Sequence, residues 1–179
     1  MLHSNTERLI DYWRERKREG LSPLRSAIQP GEISGVLPQI FILGRTDPGR
    51  FIFRLAGGLV ADLHGRDLRQ ISILALWAEP DRPRLAAALE ACRRSAEPVI
   101  AVAKARSSRG AATIEVAFAP LVAEASPVDR IIGLYQPLES LEPLQGYPAE
   151  LRLRHIAAAS ERAAPPQIRL VAEDGRRIA

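Results

Sequence analysis

The sequence predicts an α+β fold, in which a five-stranded antiparallel sheet carries helices on one face. Three observations lead to this prediction. Short apolar and β-branched runs alternate with turn-forming residues, a helical stretch of some forty residues follows the second run, and the last three runs are joined by short connections. Connections of that length join antiparallel strands, so the order is a hairpin, a helical crossing and a three-stranded meander.

An amphipathic helix is predicted at the N-terminus, over residues 5–19. Ser4 and Glu7 have the spacing of a capping box, and Gly20 ends the helix. Its short apolar stripe must be covered by the chain's own domain or by a second copy of the chain. We predict that this stripe is a dimer or partner surface, formed by Leu9, Ile10 and Trp13.

The connector and the hairpin come next. Residues 21–38 are rich in proline and glycine, which restricts them to turns and single helical turns. Residues 40–43 and 51–55 are the two strands of the predicted hairpin, and residues 44–50 form its turn.

The crossing contains two predicted helices. Leu59, Val60 and Leu63 share one helical face that Gly65 ends, whereas residues 72–78 fit either a helical turn or a loop. Asp81 can cap a second helix that closes before Pro98. Its apolar face has helical spacing and consists of Leu85, Ala88, Leu89, Cys92 and Ala96.

Three strands are predicted after the crossing, over residues 99–105, 113–121 and 130–138, and the middle one alternates in polarity. Residues 149–162 fit a helix, and residues 168–171 fit a last strand or a frayed tail. The predicted division is a helix and connector over residues 1–38, a domain over residues 39–142, and a partly helical or disordered extension over residues 143–179.

Composition restricts the classes of function. The net charge of +4 is spread along the chain without forming a basic stripe, which disfavours nucleic-acid binding. The single cysteine, Cys92, fits a reducing compartment, and no apolar stretch reaches the length of a membrane span. We therefore expect a soluble cytoplasmic protein.

Motifs for catalysis are missing from the sequence. There is no Gly-x-Ser-x-Gly elbow and no cysteine–histidine framework, and Gly57-Gly58 lacks the lysine of a phosphate-binding loop. We therefore predict that the protein is not an enzyme and holds no metal.

Four stretches, in their order and spacing, resemble the PAS domain: residues 9–13, 33–38, 53–57 and 65–68. The likeness covers about residues 5–142 and is greatest to a single-domain alphaproteobacterial group whose N-terminal helix carries a Tyr-Trp pair. The sequence departs from the pattern at Gly58, where a small hydroxyl residue is common, and at Gln70, where a glycine is common. The resemblance implies the strand order 2-1-5-4-3 and a possible cavity between the sheet and its helices.

If the chain has this fold, the apolar residues that face the helices are candidates for a ligand pocket. A filled hydrophobic core would use the same residues. They are Phe53, Leu55, Leu59, Leu63, Ile73, Leu76, Trp77, Val102, Ile114, Val116, Phe118 and Ile132. Few polar groups accompany them.

The residues that bind flavin or haem in PAS relatives can be compared with the residues at the matching positions of this sequence. Leu68 stands where light-sensing relatives carry the flavin-reactive cysteine, which excludes the covalent adduct there but leaves non-covalent flavin binding open. Haem-binding relatives use an axial histidine. Of the three histidines, His3, His64 and His155, only His64 lies within the predicted domain, where helix capping or simple exposure explains it, so haem is disfavoured.

Arg106 and Arg109 lie at a predicted hairpin tip that contains no acid, and their guanidinium groups could contact an anion such as a nucleotide phosphate. A solvated loop is the alternative.

The resemblance implies a stand-alone sensory, regulatory or adaptor protein. Because residues 143–179 are too short for a kinase, cyclase or phosphodiesterase domain, we expect it to signal through an unidentified protein partner and to form a homodimer. The alternatives are a small-molecule carrier or enzyme on the same fold and, with less support, a DNA-binding regulator, for which no basic recognition helix is present.

Overall fold

Six antiparallel strands form a single sheet in the computed structural model, which describes residues 1–19, 21–123 and 130–163. The strands are β1 (Ile40–Asp47), β2 (Arg50–Ala56), β3 (Val99–Arg106), β4 (Ala111–Leu121), β5 (Arg130–Pro137) and β6 (Glu150–Ala158). Their spatial order is β2-β1-β5-β4-β3-β6. The predicted order 2-1-5-4-3 is therefore confirmed, and a sixth strand extends it beside β3.

The predicted hairpin is confirmed with a tighter turn. Both strands continue into the segment that the sequence assigned to the turn, because Arg45 pairs with Phe51 and Asp47 pairs with Arg50. The chain reverses at Gly49, whose φ of 72° lies in the left-handed region that glycine adopts without strain.

In the described ranges four α-helices accompany the sheet: α1 (Ser4–Glu15), α2 (Gly58–His64), α3 (Arg82–Ser95) and α4 (Ala159–Ala163). The connector forms the 3-10 helices Arg25–Ala27 and Pro30–Gln39, as its turn-rich composition predicted. The ambiguous stretch contains the 3-10 helix Ile73–Leu76, and Gly65 ends α2 in the left-handed conformation.

Two predicted helix caps differ from the structure. His3, rather than Ser4, occupies the N-cap position of α1, and its Nδ1 accepts a hydrogen bond from the Asn5 amide at 3.1 Å. The His3 amide itself donates to Glu115, which fixes the start of the helix on the sheet. Asp81 precedes α3 as predicted, but its carboxylate accepts a bond from the Leu153 amide of β6 at 2.9 Å instead of capping the helix.

Helix α1 packs on the face of the sheet opposite to α2 and α3, so both faces are covered. We call the core beneath α2 and α3 the inner core, and the core beneath α1 the outer core. Leu9, Ile10 and Trp13 are each only 1% exposed, and Trp13 Nε1 donates to the Pro120 carbonyl at 2.7 Å. The prediction that these residues form a dimer or partner surface is wrong, because β4 and β5 of the same chain already cover the stripe.

Residues 150–158 form β6, whereas the sequence predicted a helix over residues 149–162. The strand pairs with β3 along its whole length, from Val99 opposite Ala158 to Arg106 opposite Glu150. The edge of β3 offers unpaired backbone groups, and satisfying them outweighs the local helical preference. The predicted boundary at residue 142 therefore falls inside the fold, and the possible strand over residues 168–171 lies outside the described residues.

In the described part of the chain, every helix is too short or too polar to span a membrane.

Candidate functional site

The inner core gathers most of the predicted pocket residues beneath α2 and α3. Those that lie in it or pack against it are Phe53, Leu59, Leu63, Ile73, Leu76, Trp77, Ile114, Val116 and Phe118. Four other side chains that the pocket prediction did not include are equally central: Phe41, Leu43, Phe51 and Tyr135. For Phe41 and Leu43 the reason is that residues 40–43 are all apolar, so no alternation assigns a face to them.

Leu55, Val102 and Ile132 face the other side of the sheet, which corrects their place in the predicted pocket. The β1–β2 register shifts between Ile42 and Leu43, and this irregularity places Leu55 on the face opposite to Phe53 despite their two-residue spacing. Val102 pairs with Glu115, whose carboxylate bonds the start of α1 on the outer face of the sheet, and Ile132 belongs to the outer core.

Aromatic rings fill the centre of the inner core. The Phe41 ring centroid lies 5.7 Å from those of Phe53 and Phe118 and 5.4 Å from that of Tyr135. Gly133 makes this packing possible, since a Cβ there would lie 1.9 Å from Phe41 Cζ. Protein side chains thus occupy the space that a ligand would share.

One polar group of this core lacks a partner. Trp77 is fully buried, and its Nε1 has no hydrogen-bond acceptor among the described residues. An unsatisfied buried donor is costly, so an acceptor reaching it would gain a bond.

His64 is buried rather than exposed, which corrects the predicted capping role. Its Nδ1 lies 2.8 Å from the Ala149 carbonyl oxygen, and because a carbonyl only accepts, Nδ1 carries the proton. Nε2 then accepts from the Tyr135 hydroxyl at 3.4 Å. Burial lowers the pKa of His64 to about 4, against the opposing effect of the Ala149 bond, and burial also raises the pKa of Tyr135.

This histidine connects α2 to the segment that leads into β6. The Ala149 amide donates to the Leu63 carbonyl at 2.9 Å, so Ala149 is bonded to two consecutive residues of α2. These two bonds join the C-terminal end of α2 to the segment before β6.

A surface recess lies between α2 and the segment before β6, with a volume of about 430 Å³. Leu59, Leu63, Leu141 and Leu144 supply apolar walls, and the Asp62 carboxylate is a polar group at its rim. The volume is in the range of small-molecule sites, which are typically about 300–1,000 Å³. Local sequence patterns could not reveal it, because residues some eighty positions apart form its two sides.

Cys92 and Leu68, the two positions compared with reactive cysteines, are both buried parts of the core. The Cys92 thiol is buried, which raises its pKa, and it donates to the Phe118 carbonyl. Leu68 is buried in the inner core. Among the described residues, no group of three His, Cys, Asp or Glu side chains is placed to hold a metal ion.

Glu90 links the β1–β2 hairpin to α3 through three hydrogen bonds. Oε1 accepts from Arg45 Nε at 2.7 Å and from the Gly49 amide at 2.8 Å, while Oε2 accepts from Arg93 at 3.1 Å. Burial would raise the pKa of this carboxyl, but the three donors hold it at about 2.

Arg106 and Arg109 lie at the end of the β3–β4 hairpin as predicted. The Arg109 guanidinium is 5.0 Å from the centroid of the Tyr147 ring, and Arg106 stands opposite Glu150 in the register of β3 and β6. Their contact with an anion stays a prediction.

A family model described as a PAS domain matches residues 1–136, a span that includes α1, the connector and the first five strands except the last residue of β5. No curated protein sequence matches the chain.

Proposed function

The chain belongs to the PAS domain family, and from this premise we propose that it is a sensory or regulatory protein whose output is a contact with another protein. PAS domains are generally sensory modules rather than enzymes. A stand-alone role in the cytoplasm is part of the proposal, as is the expected homodimer, which would need a surface other than the apolar stripe of α1.

One observation carries this proposal: both segments flanking the five-stranded unit are built into its sheet. Helix α1 supplies the outer core, and β6 completes the edge of β3. Within the described ranges both flanking segments are used by the fold itself, which favours an output through the surface of the domain.

The Tyr-Trp pair of α1 supports membership of the single-domain group with that helix. Tyr12 accepts from the Gln29 amide at 2.9 Å and donates to Glu32 at 2.8 Å, while Trp13 bonds the end of β4. The pair thus attaches the helix to both the connector and the sheet, and this structural role explains why the two residues stand together.

A small-molecule signal is the second candidate, and the recess beside α2 is the observation in its favour. Its leucine walls and the Asp62 carboxylate suit a ligand with an apolar body and a cationic or hydrogen-bond-donating group. A small apolar ligand in the inner core, with an acceptor atom for Trp77 Nε1, is the alternative, and it would require the aromatic side chains there to move.

Cross-linked affinity capture tests the main proposal. The tagged full chain is captured from its source cells together with any bound protein, and the captured protein is then tested for rebinding to the purified chain. We expect one protein in stoichiometric yield that rebinds with a dissociation constant of about 1 μM or lower, as stable regulatory pairs do. A purified chain that rebinds no captured protein, but carries a stoichiometric small molecule by native mass spectrometry, would favour the second candidate. In that case Asp62→Asn should weaken retention of a ligand held in the recess.

A further inference from the structure

An apolar groove crosses the outer face of the sheet, between the connector and the strands β1, β2 and β5. Ile28 and Leu37 form its connector side, while Ile42, Leu55 and Ile132 form its strand side. Leu37 is 38% exposed and Leu55 is 48% exposed, so large apolar side chains face solvent there. We call this feature the outer groove.

The outer groove is shallow. Its volume is about 90 Å³, well below the roughly 300–1,000 Å³ of small-molecule pockets. A space of this size accommodates one or two side chains of another protein, which is how the central anchors of protein interfaces are held.

Arginines stand at the hairpin end of the groove. Ile42 pairs with Ile132 inside the groove, and the next outward position of β1 is Gly44, which pairs with Arg130. A Cβ on Gly44 would lie 2.6 Å from Arg54 Nε and 3.0 Å from a terminal nitrogen of Arg130, so both guanidinium groups cover the glycine backbone.

Arg25 is the charged side chain among the residues that line the groove, and none of those lining residues is acidic. An occupant with carboxylates beside its apolar side chains would therefore match both the charge and the polarity of this surface.

The neighbouring backbone determines how such an occupant can dock. The outer edge of β2 is already bonded within the chain, because the Phe53 amide donates to Ile71 and the Gln70 amide donates to Phe53. A partner strand cannot be added at this part of the edge, which leaves the face for docking, and amphipathic helices bind across apolar grooves in this way. A second copy of the chain does not offer its own amphipathic helix, since α1 is buried against its sheet.

We propose that the outer groove binds an acidic amphipathic helix of the partner protein, with apolar side chains seated between Leu37 and Leu55 and carboxylates bonded to Arg25 and Arg54. The proposal rests on the proposed function and specifies the chemistry of its partner. The connector and β2 together form the docking surface.

A synthetic peptide tests this surface directly. The probe is an 18-residue fluorescent peptide with leucines at helical i, i+3, i+4 and i+7 spacing and glutamates at the flanking positions. Its twin carries lysines instead. By fluorescence anisotropy with the full chain, we expect the glutamate peptide to bind and the lysine peptide to bind at least tenfold more weakly, with added salt weakening the glutamate peptide.

Matched variants locate the binding. Leu55→Ser and Arg54→Ala should each weaken the glutamate peptide about tenfold, as removal of an interface anchor does. Leu138→Ser removes a comparably exposed leucine just after β5, and Arg84→Ala removes an exposed arginine of α3; both should leave binding within twofold. Thermal unfolding by circular dichroism verifies that each variant is folded.

Equal affinity for the two peptides, no binding of either, or equal loss in the control variants would overturn the proposal. Sedimentation tests whether a second copy of the chain occupies the groove. If Leu55→Ser converts a dimer to monomers, and the peptide does not compete with that dimer, the groove belongs to a second copy and the proposal is overturned. If the partner captured from source cells binds Leu55→Ser and Arg54→Ala as tightly as wild type, the groove proposal fails while the proposed function stands.

Discussion

His64 keeps an uncharged imidazole inside the protein, because burial disfavours the charged ring and lowers its pKa to about 4. Tyr135 and the Ala149 carbonyl satisfy its two nitrogens, and the nearby positive charge of Arg66 also opposes protonation. The neutral ring is thus part of the link between α2 and β6.

We expect this histidine to make stability depend on pH. An unfolded histidine titrates near 6.5, so between pH 6.5 and about 4 the unfolded chain binds a proton that the folded chain does not. The free energy of unfolding should therefore decrease on acidification, by about 2 kcal/mol from pH 7 to pH 5. Urea denaturation at a series of pH values measures this change.

His64→Gln is the control, since it removes the titrating group while offering a donor and an acceptor. The decrease between pH 7 and pH 5 should be largely absent in this variant, whereas the contribution of Glu90 is lost only at lower pH, between its unfolded value of 4.5 and about 2. The same decrease in both proteins would contradict the assignment.

At the scale of elements, α1 is an internal layer of the domain. Its N-terminal end is bonded to the sheet through Asn5 and Gln136 at 2.9 Å, and its last turn through Trp13 and Pro120. Removal of its apolar contacts would uncover the outer core, so mutation should act on stability before it acts on partner binding.

Trp13→Ala is expected to reduce the free energy of unfolding by about 3–5 kcal/mol, because it leaves a cavity in the outer core. Trp13→Phe keeps much of the ring but loses the bond to Pro120, at a cost of about 1–2 kcal/mol. Trp13→Glu, which an exposed stripe would tolerate, should unfold the protein. Circular dichroism and urea denaturation measure all three. A folded Trp13→Glu protein with the wild-type midpoint would mean that the apolar stripe of α1 is exposed after all.

β6 offers a similar contrast at the other end of the chain. Leu151 is fully buried in the inner core, whereas Leu138, just after β5, is 43% exposed. Leu151→Ala should cost about 2–4 kcal/mol of unfolding free energy, and Leu138→Ala less than about 0.5 kcal/mol. Equal and small effects in urea denaturation would mean that residues 150–158 do not belong to the sheet.

At the scale of the whole molecule, one sheet is shared by two cores, and each core contains one of the two tryptophans. Trp13 lies in the outer core and Trp77 in the inner core. Because every central strand contributes side chains to both cores, neither core can come apart without disturbing the other.

We therefore expect a single cooperative unfolding transition. In Trp77→Phe the fluorescence reports the outer core, and in Trp13→Phe it reports the inner core. In each variant, the fluorescence transition should coincide in urea with the loss of circular dichroism of that same variant. Separate midpoints within one variant would show that α1 and its core unfold independently.

The sequence by itself determined the order of the elements in the five-stranded unit, and the family resemblance added the order of the strands. Period-two alternation and apolar helical spacing are local properties, so they identified β4 and α3 closely, and Gly65 marked the end of α2 through its own backbone preference. The Phe53 and Phe118 positions of the inner core followed from the same alternation.

Only the tertiary structure decided which surface covers each apolar face. A register irregularity turned Leu55 outward, the open edge of β3 drew residues 150–158 into a strand, and the outer face of the sheet covered Trp13. These outcomes depend on backbone pairing and burial between residues far apart in the chain, which no window of local sequence contains. For the same reason His64, Tyr135 and Ala149 meet only in the folded protein, and so do the two sides of the outer groove.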